Sequence, residues 1–116
     1  MSEHLPYIGH WVKGTGAEAD QYQVDYLLGE TEEFLHEWHN GQDRDKMVAE
    51  LADVVVCAMG LIYLLGNDAE TAVLDKVSTN YIKYPPEALQ ELLEGGMSRP
   101  DAMAYMKELW KLNNPT

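Results

Sequence analysis

Basic side chains are scarce in this sequence: 8 Lys and Arg stand against 20 Asp and Glu in 116 residues, a formal charge of −12. A field of that sign repels phosphate backbones and anionic lipid headgroups, which sets aside nucleic acid and membrane surfaces as partners. Cysteine is scarcer still. The single one, Cys57, leaves no intrachain disulfide framework and no Cys/His zinc pattern, and it fits a reducing, cytoplasmic setting. The first sixteen residues, MSEHLPYIGHWVKGTG, lack the apolar core of a signal peptide, and the most apolar run, Val54–Leu65, is too short to span a bilayer. Strand-like alternation, internal repeats and low-complexity tracts are missing too. A chain of this length is expected to form one soluble domain with a modest core, near the size at which oligomerisation often adds stability.

Helix punctuation, by contrast, is plentiful. Thr15-Gly-Ala-Glu18 reads as a capping box that opens a helix near Ala17 and lets it run to about His39, where Asn40-Gly41 ends it. Asp43 can cap a second helix, whose Met47, Leu51, Val54, Val55, Ala58, Leu61, Ile62 and Leu65 recur at helical spacing up to Gly66. Asn67-Asp-Ala-Glu70 is another capping box, for a helix to about Lys83 that Tyr84-Pro85-Pro86 must stop. A short helix over 87–94 follows, then a break at Gly95-Gly96. A last amphipathic helix begins around Ser98–Asp101 and ends near Asn113. The pattern predicts an all-α bundle with a loosely attached amino-terminal arm, residues 1–16, and a carboxy-terminal helical extension, residues 86–116.

The acidic residues are not evenly spread. Glu30 and Glu33 are three apart, as are Glu50 and Asp53, so each pair projects from one face of its helix. Either pair alone reads as a solvated surface. Their placement across the turn gives them weight: Glu30 and Asp53 are equally far from the Gly41–Gln42 junction, and so are Glu33 and Glu50. An antiparallel hairpin about that junction would bring four carboxylates together. The second pair also opens the run VVVCAMGLIYLL, where clustered carboxylates must be protonated, paired or bound to a cation. Arg44 and Lys46, the nearest basic residues, fall a turn or more toward the loop, so a hard divalent ion is the better partner. All-oxygen ligation favours Mg2+, with Mn2+ as the alternative. Glu37 extends the first face and Glu32 points elsewhere; both read as solvated or supporting residues.

These residues resemble the Glu-x-x-Glu…Glu-x-x-Asp signature of the MazG-like, all-α nucleoside triphosphate pyrophosphohydrolases, in GETEEF and ELADVV. LDKVSTNYIKYP, Leu74 to Pro85, is similar to that family's Lys-x-x-x-Asn segment with a basic residue and Tyr-Pro after it. The resemblance covers roughly residues 23–85. It implies a four-helix-bundle core completed by homo-oligomerisation, as a homodimer or a dimer of dimers. The implied reaction is hydrolysis of a nucleotide between its α and β phosphates to a monophosphate and pyrophosphate, a nucleotide-pool cleansing activity. By position, Glu30, Glu33, Glu50 and Asp53 become magnesium ligands and catalytic carboxylates, while Lys76, Asn80 and Lys83 become phosphate contacts. Helical spacing agrees that those three share one face, at i, i+4 and i+7. For the nucleobase the aromatic candidates are Trp11, Tyr22, Tyr26, Trp38 and Tyr84, with Trp38 favoured and Trp11 held in the arm.

Two rival readings remain at this level. Glu33-Phe-Leu-His36 is a Glu-x-x-His, the motif of di-iron carboxylate bundles, although such sites need it from two helices. The other rival is a non-catalytic helical interaction module, suggested by the stripe Met103, Met106, Leu109 and Trp110 on the last helix.

Overall fold

A computed structural model describes residues 6–114; the first five residues of the expected arm and the last two of the extension lie outside the described residues. Among the described residues every regular element is helical. The elements are α1 (Pro6–Gly14), α2 (Gln21–His36) followed by a π-helical turn (Glu37–Gly41), α3 (Arg44–Leu64), α4 (Ala69–Lys83), α5 (Pro86–Glu94) and α6 (Arg99–Asn113). They divide into two compact units, residues 1–72 and 73–116, with the division falling inside α4.

The first unit is built on the α2–α3 hairpin, with α1 laid against α3. The amino-terminal segment is therefore a packed helix from Pro6 onward rather than a loose arm. Two glycines let it approach. A Cβ at Gly9 would stand 2.6 Å from the Tyr63 ring, and one at Gly60 would stand 2.9 Å from a Val12 methyl. Val12, Met59 and Gly60 are accordingly buried, Val12 and Met59 at 5% exposure each.

The expected capping box at Thr15 does not form. The Thr15 hydroxyl donates back to the Val12 carbonyl at 2.6 Å, at the end of α1. Residues 15–20 are a connection, and Asp20 caps α2 by accepting from the Gln23 amide at 3.2 Å. Asp43 does cap α3, accepting from the Lys46 amide. Gly66 follows α3 at φ +94, the left-handed conformation that suits glycine after a helix end.

α3 is also long and apolar enough to cross a membrane, by length and composition alone. Glu50 and Asp53 lie within it. Most of it is not buried in this chain. Val48, Leu51 and Val55 on α3 and Val24, Leu28 and Leu35 on α2 are all exposed large apolar residues. At 100° per residue each set forms a single stripe, roughly opposite the carboxylates of its own helix.

In the second unit α5 packs on α6 and buries Ala102 and Met106. Ser98 caps α6 through the Asp101 amide, as the sequence suggests. The α6 stripe is thus partly core: Met106 is buried, and Met103, Leu109 and Trp110 are half-buried.

Candidate metal and nucleotide site

The hairpin turn sets the register that brings the acidic pairs together. Its π-helical geometry ends with the Gln42 amide donating to the Glu37 carbonyl at 2.7 Å, and Gln42 takes a left-handed φ of 55°. The glycine in this turn serves another purpose. A Cβ at Gly41 would collide with the Glu37 carboxylate, which folds back over the turn. There it accepts the Asp43 amide at 3.1 Å, and the Lys46 ammonium sits 3.5 Å from its other oxygen. Glu37 is only 7% exposed, the one buried charged residue among those described. It is therefore a clamp on the turn rather than a solvated bystander. The sequence carried a signal for this in the glycine one helical turn after a glutamate, just before the Asp43 cap.

Held in this register, Glu30, Glu50 and Asp53 offer carboxylate oxygens that all lie within 4.8 Å of one another. Glu33 is exposed, and its charge bears on both Glu30 and Glu50. One oxygen each of Glu30 and Glu50 is sealed from solvent and has no hydrogen-bond donor. Buried oxygens without a donor favour a proton or a cation. The electrostatics run the same way. Burial is the largest cause lifting the Glu30 carboxyl above its ordinary range, followed by the charges of Glu33, Asp53 and Glu50. Burial also leads for Glu50, with Glu33 and Asp53 adding to it and Lys46 opposing it. An all-oxygen set with unsatisfied buried atoms fits a hard divalent cation better than a soft one.

The rival iron ligand does not join this set. His36 is exposed, and its Nδ1 lies 3.2 Å from the Asn40 amide nitrogen.

The carboxylates stand between two recesses. On one side is a half-open cavity of about 220 Å³ between α1, α2 and α3, lined by Trp11, Tyr22, Gln23 and Tyr26 and reaching Glu30, Asp53 and Cys57. Tyr22 and Tyr26 stand one turn apart, with ring centroids 6.4 Å from each other. The Tyr26 hydroxyl faces Glu30, whose charge is the largest cause holding the phenol above its ordinary range. Burial pushes the Cys57 thiol up, with Glu30 and Asp53 adding to it, which favours the protonated sulfur. On the other side is an open depression under the turn, lined by Glu32, Glu33, His36, Glu37, Lys46 and Glu50. Glu30 and Asp53 border the first recess, Glu33 and Glu50 the second.

Trp38, the favoured base candidate, lines neither recess. Trp38 sits in the π-helical turn and packs on Phe34, with ring centroids 6.3 Å apart. Lys76 and Asn80 are exposed on α4, within the second unit. Lys83 closes that helix, and its ammonium lies over the Tyr84 ring at 5.4 Å from the centroid. Tyr22 and Gln23 gain weight from the cavity; for Gln23 the sequence offered no signal beyond its place one residue after Tyr22.

Comparison of the chain with protein-family models, curated proteins and solved structures gives no match.

Proposed function

We propose that this protein is a divalent-cation-dependent nucleoside triphosphate pyrophosphohydrolase, releasing a nucleoside monophosphate and pyrophosphate. The observation that carries the reading is the convergence of Glu30, Glu50 and Asp53, with two donorless buried oxygens, at the mouth of an aromatic cavity. An acidic cluster by itself serves many purposes. One that opens onto a cavity lined by Trp11, Tyr22 and Tyr26 suits a ligand with a flat apolar end and a charged end that needs a cation.

Glu30, Glu50 and Asp53 hold Mg2+, or Mn2+ in its place, and the cation when bound offsets the charge that builds on the phosphoryl oxygens as the anhydride breaks. Glu33, open to solvent and beside both Glu30 and Glu50, accepts the proton of the attacking water. Trp11 and Tyr26, with Tyr22, stack on the base. Gln23, half-buried and without a side-chain hydrogen bond, meets its polar edge. Lys76, Asn80 and Lys83 remain the phosphate contacts that the family resemblance implies.

The exposed stripes on the backs of α2 and α3 support a homodimer, or a dimer of dimers, in which two hairpins complete a four-helix-bundle core of MazG-like type. A cytoplasmic setting goes with this reading, and the substrate is a free nucleotide rather than a nucleic acid.

The test is turnover of a panel of ribo- and deoxynucleoside triphosphates by the wild-type protein and by Glu50→Gln, with Mg2+ and with chelator. The expected result is hydrolysis of at least one nucleotide that chelation abolishes and that Glu50→Gln reduces by about 10²-fold or more. Equal turnover by the variant contradicts the assignment.

A further inference from the structure

The two recesses differ in chemistry, and the difference gives the substrate a direction. Among the described residues the cavity lining holds three aromatic rings and no lysine, arginine or histidine. The depression lining holds Lys46 and His36, and among the described residues Lys46 is the one ammonium lining either recess. Lys46 is one turn before Glu50 on α3, so it rises from the same helix face, and its charge acts on the Glu50 carboxyl. Its partner Glu37 holds it only loosely: 3.5 Å is long for an ammonium–carboxylate hydrogen bond, and the lysine side chain is 64% exposed. Glu37 itself is fixed by the Asp43 amide and by its seat against Gly41. An ammonium tethered to a fixed carboxylate stays at the rim of the depression yet can turn toward a stronger anion.

We infer that Lys46 contacts the leaving pyrophosphate, so that the nucleotide lies with its base in the α1–α2–α3 cavity and its terminal phosphates over the depression beneath the hairpin turn. Charge supports this polarity. The depression also carries Glu32, Glu33, Glu37 and Glu50, so a polyphosphate end is accepted there only with the cation in place and a positive side chain beside it. Pyrophosphate, with more charge than a monophosphate, depends more on that side chain. Lys46 thereby favours triphosphates, whose leaving group reaches the rim, over diphosphates, whose leaving group is a single phosphate.

The inference rests on the pyrophosphohydrolase reading, and the test separates the two. Binding of inorganic pyrophosphate and of a nucleoside monophosphate is measured by calorimetry in Mg2+, for wild type, Lys46→Ala and Lys46→Arg, beside turnover of tri- and diphosphates. The expected result is a tenfold or greater loss of pyrophosphate affinity in Lys46→Ala, recovery to within about threefold in Lys46→Arg, and an unchanged monophosphate affinity. The preference for tri- over diphosphate should fall in parallel. A Lys46 that merely steadies Glu37 would lower the melting temperature and weaken both ligands together, and that outcome overturns the inference. If Lys46→Ala does not fold, Lys46→Gln, which keeps most of the stem and removes the charge, takes its place under the same criteria. Wild-type turnover with an alanine variant that binds pyrophosphate normally overturns the role of Lys46 alone. A wild-type protein that neither hydrolyses nucleotides nor binds pyrophosphate overturns the pyrophosphohydrolase reading itself, and this inference with it.

Discussion

The carboxyl of Glu50 has one oxygen sealed from water without a donor, and two acidic neighbours, Glu33 and Asp53, that raise its proton affinity. Its charged form is thus disfavoured in the folded, cation-free chain. A carboxyl whose proton affinity is raised by folding contributes stability that is full below the unfolded value, about pH 4, and is lost as pH rises through the folded value. Replacing it by a neutral isostere removes that loss. Glu50→Gln is therefore expected to melt higher than wild type at neutral pH in chelator, with the gap closing as pH falls. Mg2+ should raise the wild-type melting temperature and leave the variant nearly unmoved. Thermal denaturation across pH, with and without Mg2+, checks both; a variant that melts lower than wild type in chelator at neutral pH would contradict the repulsion. The convergence of Glu30, Glu50 and Asp53 was legible in the sequence because helical spacing and distance from the turn are additive quantities. The role of Glu37 was legible only in part: Gly41 one turn after it marks a close approach, but the clamp also needs the Asp43 amide, which a spacing rule does not see.

At the scale of elements, the hairpin depends on a turn whose residues have divided tasks. Gly41 is needed for closeness, whereas the left-handed position belongs to Gln42 at φ 55°. A non-glycine residue there costs roughly 1 kcal/mol, so Gln42→Gly is expected to stabilise the protein by up to about that amount. Gly41→Ala must displace the Glu37 carboxylate and is expected to destabilise by about 1–3 kcal/mol. It should also weaken Mg2+ binding, because the register of Glu30 with Asp53 is set there. Urea denaturation and Mg2+ calorimetry on the two variants test the division; a Gly41→Ala protein as stable as wild type would contradict it. The sequence placed this turn correctly and α4, α5 and α6 to within a residue or two, because proline, glycine and serine caps act locally. It misjudged α1. Thr15-x-x-Glu18 matches a capping box, but Gly9 and Gly60 let α1 lie on α3, and Thr15 is then used to finish α1 rather than to begin α2. Long-range packing of this kind leaves no local mark.

For the whole molecule, the unsettled surface is the back of the hairpin. Leu28 is 55% exposed, Leu51 44% and Val55 51%, on the side away from the carboxylates. A second copy would cover this face by the same helix packing that joins α2 to α3, and a charge placed in it should prevent that. Leu51→Lys and Leu28→Lys are each expected to shift the protein from dimer or tetramer to monomer in sedimentation equilibrium, with loss of turnover if the site needs the assembly. A wild-type protein that is monomeric at all concentrations contradicts the bundle-by-dimerisation account. A protein recovered only with detergent would instead favour the apolar α3 as a membrane-facing helix.

Cleavage between the α and β phosphates is read from the identity of the products. Purified protein is incubated with Mg2+ and a panel of nucleoside triphosphates, and pyrophosphate, orthophosphate and nucleoside monophosphate are measured separately. Monophosphate and pyrophosphate are expected in equal amounts from at least one nucleotide, with no orthophosphate. Orthophosphate with a diphosphate product, or no turnover across the panel, would contradict it.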